Sequence, residues 1–462
     1  MTIPNNEKLS IRTEVQEFLK LAVPLARAQV AQLTTGFADT VMMGHLGNEI
    51  LAAGGLASIT FFSIMIATSG IVMGVTPLVA TAYGAENKTD IEQFTQQGLW
   101  LSLLLSIPIM VATAHFDSLV SGLGLDETML KSVKTYLDIM LWGLFPALGF
   151  AMLRGVVSAL SQARPIFLIV TIGTGLNILG NYVLGFGALG FPRLELAGLA
   201  LASTVTLWGM FVALIIYLSV SHHFESYKFF SSLYQLKPKK LWKLFKIGLP
   251  IGVFSTLEIG MYTIVSYLVA EFGANGLAAH QIVFQTINII YMVPLGMSFA
   301  ATARVGKWFG QNNMVGIRQA GLVGIVLGTL WTTVIVVVLL VFPQQIVGLY
   351  IDVLKPENEP IVSLAVSILR VGAIAHIFDG VQKIAYGALQ GLQDTRVPMI
   401  LSFLFYWCIG LTCGYWLAFG WNLDVIGLWL GLLIAVAIAS VVFVWRFQAL
   451  GMNNIRIKLN GN

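Results

Sequence analysis

Charged residues are scarce in this chain. Only 10% of its 462 residues are Asp, Glu, Lys or Arg, whereas 57% are hydrophobic. Soluble domains carry about 25% charged residues, because a water-facing surface must present polar groups. The composition therefore excludes a soluble globular protein. The net charge is only +4, and the basic residues do not form the kind of surface that binds nucleic acid, so we expect no nucleic-acid partner.

Cysteine is almost absent as well. Cys408 and Cys413 lie five positions apart in one apolar run, a spacing that suits neither a disulfide framework nor a zinc site. The first twenty residues are polar and mixed in charge, and they lack the pattern of a cleavable signal peptide. We therefore expect the first membrane helix to target the chain to the membrane.

Long stretches without any charge take the place of the missing polar surface. They cover 51–85, 165–192, 196–224, 272–303, 319–351, 397–423 and 425–445. Each reaches the ~20 residues that a helix needs to cross ~30 Å of hydrocarbon. Inside lipid the backbone must satisfy its own hydrogen bonds, so these stretches are helices, and the alternating pattern of a membrane barrel is absent. We predict an all-α membrane protein with twelve spans, at 18–43, 51–80, 95–115, 133–154, 165–187, 196–220, 246–271, 279–303, 318–342, 360–387, 397–419 and 424–446.

Lysine and arginine concentrate on one side of this predicted topology. They occur at the N-terminus, near Lys88, at 154–164, 221–245, 304–318 and 383–396, and at the C-terminus. The other side holds only Lys131, Lys134, Arg193 and Lys355. By the positive-inside rule we expect both termini to face the cytoplasm. We expect the protein to lie in the plasma (inner) membrane.

The chain contains an internal repeat. A shift of 226 residues places Pro24 on Pro250, 51–53 on 277–279, and Asn87 on Asn313. Later segments match at a shift of 232 to 233. We therefore predict a six-helix lobe at 1–220, a basic cytoplasmic linker at 221–245 and a second six-helix lobe at 246–462. Because each lobe has an even number of spans, the two repeats are parallel, with a central cleft expected between them.

Three carboxylates lie deep in predicted spans, where an ionisable group costs ~2.5–3.5 kcal/mol. Glu258 lies 12 residues after Lys246 and 13 before Glu271, so it is ~18–20 Å from either flank. Asp379 is well inside the tenth span, and Asp39 lies in the outer part of the first. Each is a candidate for ion coupling. The alternative is a structural role, by hydrogen bonding to a neighbouring helix or, for Asp379, by pairing with Lys383 at i+4.

Other polar residues are open to two interpretations. Asn177 and Asn181, at i and i+4, share one face of the fifth span, where they could bind Asp39 or a cation, or only join helices. The pair Gly70-x-x-x-Gly74 predicts close helix packing, and prolines such as Pro77 and Pro146 predict bends. His45, His280 and His376 are expected near span ends, outside any site.

Two segments resemble the multidrug and toxic compound extrusion (MATE) family, in particular its NorM-like branch. The first segment is GFADTVMMG at 36–44. The second lies between 378 and 398 and contains FDGVQ at 378–382 and GALQGLQDTRVP at 387–398. The resemblance covers nearly the whole chain and implies cation-driven export of organic, mostly cationic, compounds by two six-helix lobes. It implies that Glu258 and Asp379 hold the coupling cation, sodium or the proton, and that Asp39 serves substrate or proton. Some relatives carry an acid beside an Asn on the fifth span, and Asn177 and Asn181 here argue against a sodium site like theirs.

The residues and the resemblance together predict a secondary antiporter that works by alternating access. A hydroxyl such as that of Tyr262 could complete an oxygen shell around sodium held by Glu258 and Asp379. The chain has no P-loop, nucleophile–base cluster or metal cluster, so we expect neither an enzyme nor a cofactor. We expect a monomer. The alternative is a lipid or lipid-linked sugar flippase, which would favour a cleft lined by Arg and Lys, whereas Arg370 and Arg27 are the only basic residues counted deep in spans.

The predicted orientation can be tested by thiol labelling. Single cysteines at Lys88, Gln235 and Gly310 should resist a membrane-impermeant reagent in intact cells, because these positions are predicted to face the cytoplasm. A cysteine at Glu357 should react. Labelling of position 235 from outside the cell would overturn the orientation.

Overall fold

The computed structural model describes residues 10–114, 127–231 and 233–459. Within these ranges twelve long helical segments follow one another. We number them α1 (Ile11–Leu46), α2 (Asn48–Gly84), α3 (Lys88–Ala114), α4 (Glu127–Leu141 with Leu144–Ala159), α5 (Arg164–Gly185), α6 (Glu195–Val220), α7 (Pro238–Ala270), α8 (Gly273–Gly310), α9 (Met314–Val341), α10 (Glu359–Gly391), α11 (Arg396–Gly420) and α12 (Asp424–Leu459).

These helices confirm the predicted all-α membrane protein. Within the described ranges ten of them, α2, α3 and α5 to α12, are long and apolar enough to cross a membrane, and the bent pair that forms α4 makes an eleventh. The remaining helix, α1, is 36 residues long, which is ample for one crossing at 1.5 Å per residue.

Two of the predicted bends occur four residues before a proline. Helix α2 is interrupted at Met73 and Gly74, and the two parts of α4 meet at 47° around Trp142. Proline has no N–H to offer the carbonyl four residues earlier, so Pro77 and Pro146 each remove one helical hydrogen bond there. The Met73 carbonyl instead accepts a bond from the Thr76 N–H at 3.0 Å.

Equivalent turns in the two halves support the duplication. The turn from α2 to α3 contains Glu86 with φ 55°, and the turn from α8 to α9 contains Asn312 with φ 54°. These residues are 312 − 86 = 226 positions apart. The next residues, Asn87 and Asn313, each cap the following helix by accepting a bond from a backbone N–H, at 3.1 and 2.9 Å.

The chain forms two compact units. The N-terminal unit comprises Arg27–Thr256, and the C-terminal unit joins the chain up to Ala26 with the chain from Leu257 onward. Helix α4 is central to the first, packing on α2, α3 and α6, and α10 is central to the second, packing on α8, α9 and α12. These units differ from the lobes predicted at 1–220 and 246–462, because α1 begins in the C-terminal unit and α7 begins in the N-terminal unit. The last part of the predicted linker, from Pro238, belongs to α7.

An ion pair anchors the start of each of these two helices in its unit. Glu14 on α1 accepts two bonds from Arg304 on α8, at 2.8 and 2.5 Å, with both side chains buried. Lys240 on α7 pairs with Asp90 on α3. Glu14 and Lys240 are 240 − 14 = 226 positions apart, so the repeat keeps the anchoring position and reverses its charge.

Helices α2 and α7 approach closely within the N-terminal unit. A Cβ on Gly74 would lie 2.6 Å from the Cα of Gly248, and a Cβ on Gly248 would lie 1.8 Å from the Ile71 carbonyl oxygen. Gly70 is equally close to Gly252. The close packing predicted for the 70–74 segment is confirmed, since only glycine leaves room for such a contact.

This contact predicts that Gly248→Ala destabilises the protein. The added methyl group must displace backbone, and overpacking typically costs about 1–3 kcal/mol. Thermal unfolding in detergent should show a lower midpoint. The control is Gly209→Ala on α6, where a Cβ meets nothing within 4 Å and alanine favours the helix. Equal midpoints for the two variants would contradict the packing argument.

Candidate functional site

The C-terminal unit contains a buried ion pair between α7 and α10. The Lys383 Nζ donates to Glu258 Oε2 at 2.5 Å, and the two side chains are 7% and 11% exposed. The Tyr291 hydroxyl on α8 donates to the other carboxylate oxygen, Oε1, at 3.2 Å. The same ammonium lies 5.3 Å from the centre of the Tyr291 ring, within cation–π distance. Both oxygens of Glu258 are thus engaged, and its charge is neutralised inside the protein.

Asp379 lies one helical turn from Lys383 on α10 and lines a narrow cavity in the same unit. The cavity is lined by Tyr262, Ile287, Gly372, Ala375, His376, Asp379, Trp429, Leu432 and Val436. His376 is 1% exposed, and neither of its ring nitrogens has a hydrogen-bond partner. A carboxylate, an imidazole and a phenol therefore share one small space with an indole ring. His376, which was expected near a span end, lies in the middle of α10.

The structure adds Lys383 to the basic residues that lie inside a helix of a predicted span. Arg370 and Lys383 both belong to α10, where the side chain of Arg370 is exposed and that of Lys383 is buried. From the sequence Lys383 was assigned to the 383–396 connection and considered as a partner of Asp379, and its bond to Glu258 was missed. A signal was available, because position 383 lies within the predicted span 360–387. The pairing itself joins two helices 125 residues apart, which no local spacing reveals.

The predicted cation ligands therefore have different surroundings. Asp379 and Tyr262 both line the cavity, while Glu258 is held by Lys383 and Tyr291. Among the residues that the structure describes, no group of three or more His, Cys, Asp or Glu side chains is arranged to hold a metal ion.

The N-terminal unit contains a chain of amide hydrogen bonds that ends on Asp39. The Asn181 Nδ2 donates to Asp39 Oδ1 at 2.5 Å and lies 3.2 Å from Asn177 Oδ1. Asn177 in turn donates to the Ser203 hydroxyl on α6 at 3.0 Å. Both asparagines are buried, and the Asn181 Oδ1 has no hydrogen-bond partner. The predicted contact of this pair with Asp39 is thus present, and the link to α6 shows that it also joins helices.

Helix α5 changes from an α-helix to a π-helix at Asn181. From Asn181 to Gly185 the helix is a π-helix, a widened turn that often occurs at functional positions. The same kind of turn occurs in α11, the corresponding helix of the second half, at Phe403–Gly410 and Trp416–Gly420.

The buried ion pair predicts strong coupling between its two residues. Glu258→Gln or Lys383→Gln leaves one buried charge without its partner, which typically costs about 3–5 kcal/mol. The double variant removes both charges and should be more stable than the sum of the single effects allows. The free energy of unfolding in mixed micelles measures this. The exposed pair Glu17–Lys20, at 2.6 Å, is the control cycle and should show about 1 kcal/mol or less. Additive effects at Glu258 and Lys383 would refute the pairing.

Comparison with known proteins identifies the family. A family model described as MatE matches residues 24–183 and again 250–416, and the two matches start 250 − 24 = 226 residues apart. A probable multidrug resistance protein NorM of Synechocystis sp. is 49% identical over 441 residues, 96% of each chain. A multidrug resistance protein NorM of Burkholderia vietnamiensis is 37% identical over 440 residues, 95% of each chain.

The fold agrees with this relationship. A crystal structure of a MATE protein in complex with MaL6 superposes with a TM-score of 0.87 at 21% identity, covering 96% of this chain and 97% of that one. The family model matches both halves, and relatives share more than a third of their residues over nearly the full length. This integral, multi-pass membrane protein therefore belongs to the MatE family of multidrug and toxic compound extrusion transporters.

Proposed function

We propose that this protein exports small organic cations in exchange for an inward-moving cation, either sodium or the proton. The observation that carries the proposal is the buried Asp379 carboxylate, which shares a narrow cavity of the C-terminal unit with the aromatic rings of Tyr262 and Trp429. Carboxylates and aromatic faces attract cations in proteins, and a cavity this narrow suits the coupling ion. The relatives named as multidrug resistance proteins support a small-molecule substrate.

Burial is what makes such a carboxylate useful for exchange. An ionised side chain far from water is costly, at ~2.5–3.5 kcal/mol on insertion scales, so the site favours any ligand that neutralises it. A coupling ion and a cationic substrate then compete for one negative charge. A cation that moves inward releases ~2.3 kcal/mol per 100 mV of membrane potential, which can drive the substrate outward when the site opens alternately to the two sides.

Asp39 provides a second place for substrate or proton in the N-terminal unit. Its Oδ1 accepts the bond from Asn181, and the Oδ1 of Asn181 remains open as an acceptor. A protonated Asp39 or a substrate N–H group is a suitable donor for that oxygen, because an unpaired buried acceptor is costly. We propose that Asn177 holds Asn181 in this orientation.

We propose that both termini face the cytoplasm, because Lys and Arg are in excess on one side of the predicted topology. We also propose that the protein lies in the plasma (inner) membrane, where export would remove the substrate from the cell. We propose that it functions as a monomer, because each unit carries its own carboxylate site.

The alternative of a lipid or lipid-linked sugar flippase is less well supported. A flippase would favour a cleft lined by Arg and Lys, which bind phosphate. Two buried basic residues, Lys383 and Arg304, are instead paired with Glu258 and Glu14, so these two offer no excess positive charge to a phosphate group.

Efflux from proteoliposomes tests the proposal. A fluorescent organic cation is loaded, and sodium and pH gradients are imposed separately. Asp379→Asn and Glu258→Gln should each reduce gradient-driven efflux by about 10-fold or more, since the first removes the charge of the cavity and the second leaves the buried Lys383 without its partner. Asp39→Asn should also impair efflux but leave ion binding in the C-terminal unit intact.

The matched control is Glu271→Gln, which removes an exposed carboxylate at the end of α7 and should keep the wild-type rate. If the single variants Glu258→Gln and Asp379→Asn both kept the wild-type efflux rate, these carboxylates would be only structural.

A further inference from the structure

The ammonium of Lys383 occupies the position at Glu258 that a coupling cation would need. It lies 2.5 Å from Oε2, while the Tyr291 hydroxyl lies 3.2 Å from Oε1. A hard metal cation needs several oxygen ligands, with carboxylates prominent among them. Each oxygen of Glu258 thus already accepts one hydrogen bond, and the ammonium neutralises the charge that a metal ion would need. Sodium would have to displace Lys383 to bind there.

We propose that Lys383 is a resident counter-cation that closes Glu258 to sodium, so that the coupling ion is a proton received by Asp379. This inference rests on the proposed cation-driven export and names the ion. Lys383 thereby becomes the residue that determines ion specificity.

The charges of the cluster support this choice. Glu258 and Asp379 alone would present two negative charges, which suits a metal ion shared between them. With Lys383 paired to Glu258 only the charge of Asp379 remains to be neutralised. Besides Asp379 itself, the side-chain oxygen that lines this cavity is the Tyr262 hydroxyl. The other lining groups are the His376 imidazole, the Trp429 indole and aliphatic side chains. This is a poor oxygen shell for a metal ion, whereas a proton needs only the carboxylate itself.

Lys383 also connects the two carboxylates. It lies four residues after Asp379 on α10, a spacing that puts both side chains on one face of the helix. When Asp379 is ionised, it competes with Glu258 for the Lys383 ammonium. When Asp379 is protonated, the ammonium interacts with Glu258 alone. Protonation of Asp379 therefore strengthens the link between α10 and α7, which couples ion binding to helix packing.

Other titratable groups surround the cluster and must be separated from Asp379 by experiment. They are Tyr262 on α7, His280 and Tyr291 on α8, His376 and Tyr386 on α10, and Tyr406 on α11. Tyrosines stay neutral at physiological pH. His376 is the imidazole that shares the cavity with Asp379, so His376→Gln serves as the variant that distinguishes the two groups.

The test measures binding of radioactive sodium to the purified protein in detergent, independently of transport. Wild-type protein should bind sodium weakly. Lys383→Gln should bind it roughly 10-fold more tightly or better, because a neighbouring positive charge repels a second cation strongly inside a protein. Glu258→Gln combined with Lys383→Gln should lose that gain. Sodium binding of wild type as tight as that of Lys383→Gln would overturn the proposal.

Efflux by the wild-type protein gives a second measurement, which does not depend on the folding of a variant. Wild-type protein should respond to an imposed pH gradient and not to a sodium gradient, and His376→Gln should keep this preference while Asp379→Asn loses the response. Efflux driven by sodium alone would refute proton coupling. If neither gradient drives efflux, the proposed function fails, while the sodium-binding comparison still decides the role of Lys383.

Discussion

The high free energy of an isolated charge in an apolar interior governs how this protein is arranged. Lipid supplies no water to solvate a carboxylate, and apolar helices gain little from one another that lipid does not also offer. Polar contacts therefore decide which face of a helix turns inward. The ion pair of Glu14 and Arg304 holds the start of α1 on α8. The ion pair of Glu258 and Lys383 holds α7 on α10. Each pair fixes the rotation of two helices at once.

Helix α10 shows how one helix can serve both packing and chemistry. It packs on α8, α9 and α12 at the centre of its unit, and Gly387 and Gly391 bring it into backbone contact with α8. In the two turns that precede these glycines, α10 carries His376, Asp379 and Lys383, all of them buried. The close packing leaves little room for water around these three side chains. Electrostatic interactions among them, and with a bound ion, are therefore stronger than they would be in water.

Much of the fold could be predicted from the sequence, because crossing a membrane imposes length and apolarity on each helix. The i, i+4 spacing of Asn177 and Asn181 also predicted a shared face, since that relation is local to one helix. The partner of Glu258 could not be predicted in this way. Whether Lys383 binds Asp379 on its own helix or Glu258 on another depends on how two helices are rotated, and sequence spacing carries no information about that rotation. The same holds for the cavity beside His376, which is lined by residues of four helices, α7, α8, α10 and α12.

The crossing of α1 and α7 between units has a consequence for the origin of the protein. Each unit receives the beginning of a long helix from the other half of the chain, up to Ala26 in one case and up to Thr256 in the other. A single six-helix ancestor would have lacked that segment within its own unit. A second copy could supply it by exchanging the beginning of its first helix, as in a domain-swapped dimer. Fusion of two such copies into one chain would keep each exchanged segment in place, with Glu14 and Lys240 each anchored by a partner of its own.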